Sequence, residues 1–212
     1  GACNVPVDEW QLDIVASGSQ KGYMIPPGLS FISVSKKAWE AAEKSNLPKF
    51  YLNLKSYKKS LLTNSNPYTP AVNLVFALDE SLKMMREEGL ANIFHRHNKH
   101  KLAMSNAIKS LDLNLFADEK YLSPSITAIN TGAIDAEEFR KIIKNKFDIL
   151  LAGGQDHLKG KIFRVGHLGY VNDRDIITVI SAISNTLLEF GKITSQQAGE
   201  ALLTASKYLE AN

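Results

Sequence analysis

Between residues 71 and 111 the apolar positions Val72, Val75, Phe76, Leu82, Met85, Ile93, Met104, Ala107, Ile108 and Leu111 recur at intervals of three and four. That period puts them on one face of a helix, and Gly89 inside the run predicts a break between two helices. Ahead of this stretch, residues 13–16 and 29–34 are short apolar runs. They read as strands, near-continuous in the way of strands inside a sheet covered on both faces. Residues 36–44 predict a short helix carrying Ala38, Trp39 and Ala42 at helical spacing, ended by Asn46 and Pro48. From 50 to 70, turn formers such as Asn64, Ser65, Asn66 and Pro67 predict an irregular loop. Beyond Leu111 the pattern alternates in shorter pieces. Strands are predicted at 113–116, 125–129, 147–151 and 161–165, and helices at 135–145, 173–190 and 195–209, the first capped by Asp135. Strands and helices so interleaved predict a compact α+β unit after about residue 93.

Composition narrows the classes without choosing one. The chain has 212 residues, 44% hydrophobic and 22% charged, and its 25 basic and 22 acidic side chains leave a net charge of +3. That excess is too small, and too scattered, to argue for nucleic acid or an anionic membrane as partner. Nor does any apolar run approach the roughly 18 residues of a membrane span. The single cysteine, Cys3, excludes an intrachain disulfide and suits the cytoplasm or another reducing soluble compartment. His95, His97 and His100 invite a metal, but Arg96, Lys99 and Lys101 among them oppose a cation, so no metal is expected and a solvated helix face is the preferred reading. The start, Gly1-Ala2-Cys3-Asn4, carries no initiator methionine, which leads to the expectation that residues are missing upstream.

Two places carry candidate chemistry. Lys21 stands where the first strand stops, after Ser17, Gly18, Ser19 and Gln20, and Pro26-Pro27-Gly28 stiffens the exit from its loop. A loop lysine is ordinarily a solvated charge. Here its neighbours leave no bulk beside the ammonium and offer polar atoms that could hold a phosphate, and a lysine pinned between buried strands can lose its proton and attack a carbonyl. Arg164 lies between Phe163 and Val165 in a predicted strand, so its side chain faces away from theirs, towards a cleft or solvent. Gly153, Gly154 and Gly166 nearby would allow close approach of a ligand or another backbone.

Ser17-Gly18-Ser19-Gln20-Lys21, then Pro26-Pro27-Gly28 and an apolar strand ending in Ser33-Val34-Ser35, resembles the cofactor-lysine segment of the alanine/serine-glyoxylate aminotransferases. These are class V members of the fold-type I pyridoxal-phosphate enzymes, and the resemblance covers nearly the whole chain. It implies an α/β fold comprising the C-terminal part of a large cofactor-binding domain, residues 1–92, and a small α+β domain, residues 93–212. It also implies that Lys21 carries pyridoxal phosphate as a Schiff base, that Gln20 holds the phosphate, and that Thr69 reaches the phosphate of the other subunit in a homodimer. Arg164, in the matching Arg-Val-Gly motif, would bind the substrate α-carboxylate. Asn66 departs from the tyrosine that some relatives place there. His167 is not needed as a base, because the lysine does that work in the family. The aspartate on the ring nitrogen and the aromatic stacked on the ring lie upstream of the lysine segment in the family, so the expectation is the C-terminal part of a longer enzyme, inactive by itself. The expected substrates are a small amino acid and a keto acid such as glyoxylate or pyruvate. A lyase or desulfurase of the same fold, and a non-catalytic interaction module that keeps it, remain as alternatives.

Overall fold

A computed structural model describes residues 1–210. The chain divides into two compact units: Val5–Glu87, and the segment from Glu88 onward together with Gly1–Asn4.

In the first unit, β1 (Ile14–Gly18) and β2 (Ser30–Val34) pair antiparallel from Ile14↔Val34 to Gly18↔Ser30. The expectation of buried strands is not met within this chain: Ile14 is 59% and Ile32 48% exposed. A two-stranded ribbon gives each strand one partner, and among the described residues Ile14 and Ile32 stay largely uncovered. The helix α1 (Lys36–Lys44) begins at Ser35, whose hydroxyl accepts from Ala38 N and donates to Asp13 Oδ1 at 2.7 Å, which ties the helix start to the strand start. The predicted 50–70 loop contains a helix, α2 (Leu54–Leu61), capped by Asn53. Its stability comes from aromatic contacts that spacing does not reveal. Tyr68 packs on Tyr51 with ring centres 4.6 Å apart and lies 6.1 Å from Tyr57, while Lys58 stands 4.4 Å over the Trp39 ring. α3 (Val72–Glu88) and α4 (Leu90–Ser110) are the two predicted long helices, and Gly89 between them has φ +82°, the left-handed region that glycine occupies without a Cβ clash.

The second unit begins with α4 and continues with β3 (Asn114–Leu115), β4 (Ile126–Asn130), α5 (Ala136–Phe147), β5 (Ala152–Gly153), β6 (Ile162–Gly166), α6 (Asp173–Glu189) and α7 (Ser195–Glu210). The strands form an antiparallel sheet in the order β3-β4-β6-β5. Ile129, Phe163 and Val165 point from one face into a core closed by Ile108 of α4, Phe139 of α5, Ile180 of α6 and Ala205 of α7. Phe139 stacks on Phe163 at 5.1 Å. α4 packs against α7, Lys99 Nζ donating to Leu209 O at 3.0 Å and Ser110 Oγ to Thr204 Oγ1 at 3.3 Å. The strand predicted at 147–151 is absent: Phe147 ends α5 and Asp148, at φ +55°, turns the chain into the two-residue β5. The solvated histidine face is also corrected. His97 and His100 are buried, because they continue the inward face of α4 that Ile93 and Met104 define.

Candidate active site

The Lys21 loop is built as two consecutive tight turns, Lys21 N donating to Gly18 O at 3.2 Å and Met24 N to Lys21 O at 3.0 Å. What closes the loop is Ser19, which is fully buried. Its hydroxyl donates to Pro26 O at 2.8 Å and accepts from Leu29 N at 3.1 Å, and its backbone N donates to Leu29 O at 3.0 Å. Ser19 is therefore committed to the loop and is not free for a phosphate, contrary to the expectation for this segment. Below the loop, Ser81 Oγ donates to Tyr23 O, which fastens it to α3, and Tyr23 packs against Phe31 at 4.4 Å. With these contacts made by other residues, Lys21 itself stays exposed, and among the described residues it joins no ion pair. Gln20 is exposed too, its Oε1 lying 2.8 Å from the place a Cβ on Gly18 would take, so the missing side chain there is used. Thr69 is exposed in the same unit, between the aromatic cluster and α3.

Arg164 belongs to the second unit. On β6 it alternates away from Phe163 and Val165, which are in the core, and its side chain is half-buried on the opposite face of the sheet. Its Nε donates to Gly153 O at 2.9 Å, and among the described residues the two Nη groups have no partner, which leaves them as an open fork. Gly153 of β5 and Gly154 after it serve the protein's own backbone and side chains: a Cβ on Gly154 would sit 2.1 Å from Leu158 O, and one on Gly153 would sit 2.6 Å from Arg140 Nη1. The loop-closing role of Ser19 and the Glu137/Arg140 pair behind Gly153 were not read from sequence. The only available signal for the pair is its spacing of three on the predicted helix.

The three buried histidines lie in this second unit and are held neutral. His97 Nδ1 donates to Ile93 O at 2.7 Å while its Nε2 accepts from Gly169 N at 3.1 Å, so both ring nitrogens are used and the tautomer is fixed. Burial lowers its pKa, as it does that of His100 despite a 2.8 Å contact from Nε2 to Asp173 Oδ1. His167, paired with Thr127 Oγ1 at 2.9 Å, is pushed down to about 4 by burial and by its neighbours His100 and His97. A groove of about 630 Å³ opens beside α4 and is lined by Glu88, His95, Arg96, Lys99 and Asp173 among others. Two of its cations are engaged, Arg96 on Glu88 at 2.6 Å and on the carbonyls of Gly169 and Val171, and Lys99 on Asp173 at 3.0 Å. None of Lys21, Gln20, Thr69 and Arg164 lines it. Among the described residues no group of three or more His, Cys, Asp or Glu side chains could hold a metal ion, and no helix is long and apolar enough to cross a membrane.

A family model described as aminotransferase class-V matches residues 1–172. A protein named soluble hydrogenase, small subunit, from Synechococcus sp. (strain PCC 6716) is 53% identical over 209 residues, which are 99% of this chain and 54% of that protein. The serine–glyoxylate aminotransferase of Methylorubrum extorquens is 35% identical over 220 residues, covering 100% of this chain and 54% of its own. Among solved structures, the ureidoglycine–glyoxylate aminotransferase of Bacillus subtilis superposes with a TM-score of 0.89 at 30% identity, over 97% of this chain and 55% of that one. The chain thus spans about half the length of the relatives it matches.

Proposed function

The chain belongs to the class V aminotransferases, with the fold of the fold-type I pyridoxal-phosphate enzymes, and from that premise we propose that the full protein moves an amino group from a small amino acid of the alanine or serine type to a keto acid such as glyoxylate or pyruvate. Residues 1–92 would then form part of the large cofactor-binding domain and the remainder the small domain. The observation that carries this reading is the exposed Lys21 amine on a loop fixed by the hydroxyls of Ser19 and Ser81. An unpaired primary amine beside small polar neighbours fits covalent attachment of pyridoxal phosphate. When bound, that group supplies a carbonyl carbon for the incoming amine and a ring that takes up the electron pair released at the α-carbon. Lys21 Nζ, free once the amino acid has taken its place, would accept the proton leaving the α-carbon and deliver it to what was the group's carbonyl carbon, the transfer that transamination requires. The Gln20 side chain and, from a partner subunit, the Thr69 hydroxyl donate to the phosphate, so the working form is a homodimer. The Arg164 fork takes the α-carboxylate in two parallel hydrogen bonds, a geometry that a lysine cannot reproduce.

A second reading, a hydrogenase subunit, rests on the name of the Synechococcus relative. The residues described here give it little support, since their one cysteine, Cys3, is exposed and belongs to no metal-binding group. Borohydride reduction of the full-length protein with pyridoxal phosphate, followed by peptide mapping, should place the pyridoxyl group on Lys21. A panel of amino donors with glyoxylate and pyruvate should give the matching keto acid and glycine or alanine. Label on another lysine, or on none, sinks the assignment; release of sulfide or cleavage of a carbon bond would move the protein to the lyase or desulfurase branch.

A further inference from the structure

We propose that Arg140 is a positioning residue for the substrate carboxylate: from α5 it holds the edge strand β5 so that the Gly153 carbonyl fixes the plane of the Arg164 guanidinium. The inference rests on the carboxylate-binding role given to Arg164 above.

β5 is two residues long and pairs on one side only, Ala152↔Arg164 and Gly153↔Phe163, with one further bond from Gly154 N to Ile162 O at 3.1 Å. So short an edge strand has little to hold it in place by itself. Yet its carbonyl at Gly153 is the acceptor for Arg164 Nε at 2.9 Å. A guanidinium is planar, so fixing its Nε–H fixes the direction of the Nη fork, and a carboxylate held by two parallel bonds is sensitive to that direction.

Arg140 acts from α5, on the face of β5 towards which a Cβ on Gly153 would point. Its Nε donates to Leu151 O at 2.8 Å, at the residue that enters the strand, and its Nη1 donates to both carboxylate oxygens of Glu137 at 2.8 Å. A Cβ on Gly153 would lie 2.6 Å from both Arg140 Nη1 and Glu137 Oε1, so the ion pair rests directly against the Gly153 backbone. A pair spaced by three on a helix usually points to water and contributes little. This one is turned onto the strand: the Arg140 side chain is 22% exposed. Glu137, Arg140, the Leu151–Gly153 backbone and Arg164 form one continuous chain of contacts, ending on the open fork. A shift of the strand by a fraction of an ångström would rotate that fork, and misplacement on this scale lowers substrate binding without touching the reacting atoms.

The test compares Arg164→Ala, Arg140→Ala and Gly153→Ala in the full-length protein with its cofactor. The readouts are KM and kcat for L-alanine and L-serine, the inhibition constant of propionate as a bare carboxylate, pyridoxal-phosphate affinity and the thermal midpoint. Arg164→Ala should raise KM and the propionate constant about a hundredfold, and Arg140→Ala should raise both about tenfold with kcat held within about twofold. Cofactor affinity should not move. Gly153→Ala keeps both charges but pushes the Glu137/Arg140 pair off the strand, so it should shift the two constants in the same direction, and it carries the test if Arg140→Ala fails to fold. Wild-type constants in Arg140→Ala and Gly153→Ala, with Arg164→Ala impaired, overturn the positioning role alone. Parallel losses of kcat and cofactor affinity would make Arg140 a purely structural residue and overturn it as well. Propionate binding unaffected by Arg164→Ala overturns the reading of Arg164, and this inference with it.

Discussion

The two units hold their candidate residues by opposite means. Around Arg164 the sheet is backed by a continuous core in which Phe139, Phe163, Ile129, Ile180 and Ile183 are fully buried. Around Lys21, only Ile25 and Met85 of the described apolar residues from Val5 to Glu87 are buried, and the loop is fixed by the hydroxyls of Ser19 and Ser81. The carboxylate-binding candidate therefore inherits its position from non-directional packing, whereas the cofactor lysine inherits its position from directional bonds. Perturbations of volume should disturb the first, and perturbations of single polar atoms the second.

The contrast can be broken most directly by truncating core side chains. Phe163→Ala should destabilise the second unit by about 3–5 kcal/mol, because it removes a fully buried ring stacked on Phe139 and leaves a cavity. Ile32→Ala, at a 48% exposed position in the first unit, should cost less than about 1 kcal/mol. Both tryptophans, Trp10 and Trp39, lie in the first unit, so their fluorescence in urea follows it, while far-UV circular dichroism follows mainly the helices of the second. Equal shifts from the two variants would erase the distinction.

Acid should separate the units next. All five histidines follow Glu88 in the sequence. His167, surrounded by His97, His100 and Thr127, with Asp173, Lys99 and Arg96 around the other two histidines, has its folded pKa lowered from 6.5 to about 4. Between those values the unfolded chain binds a proton that the folded chain refuses, so stability is full above pH 6.5 and falls as pH drops towards 4. This one group accounts for about 3 kcal/mol, with His97 and His100 shifted in the same direction. Urea melts at pH 7 and pH 4.5 should show the loss by circular dichroism, with much less change in the tryptophan signal.

The lysine loop tests the other half of the contrast, the dependence on single polar atoms. Ser19→Ala removes a donor to Pro26 O and an acceptor for Leu29 N at a fully buried position, and should cost about 1–3 kcal/mol of loop stability. Amide exchange at Leu29 should accelerate while the core amides of β6 keep their protection. Acceleration in both places would mean that the loop and the core open together.

Much of the architecture could be read from residue spacing because spacing causes it. The period on either side of Gly89 and the run from Lys36 to Lys44 specify their own helices. α2 escaped because what favours it, Tyr68 on Tyr51 and Lys58 over Trp39, lies outside its own eight residues. His97 and His100 looked solvated because of the charges beside them, although Ile93, His97, His100 and Met104 fall at helix spacing on one face, and that was the better guide. At the candidate site, the alternation that turns Arg164 away from Phe163 was visible in the strand. The role of Ser19 was not, since its partners Pro26 and Leu29 are brought to it by the shape of the loop.

The packing of α4 against α7 has a consequence for synthesis. About a hundred residues separate the end of α4 at Ser110 from the end of α7 at Glu210. At about 5–20 residues per second, the ribosome needs about 5–20 s to deliver the second helix after the first. During that interval the Met104, Ala107 and Ile108 face of α4 lacks the Ala201, Ala205 and Leu209 face that completes its core. The nascent chain therefore presents an apolar helix surface for seconds, long enough for a holdase to bind it, and slower translation through residues 111–194 would lengthen that exposure.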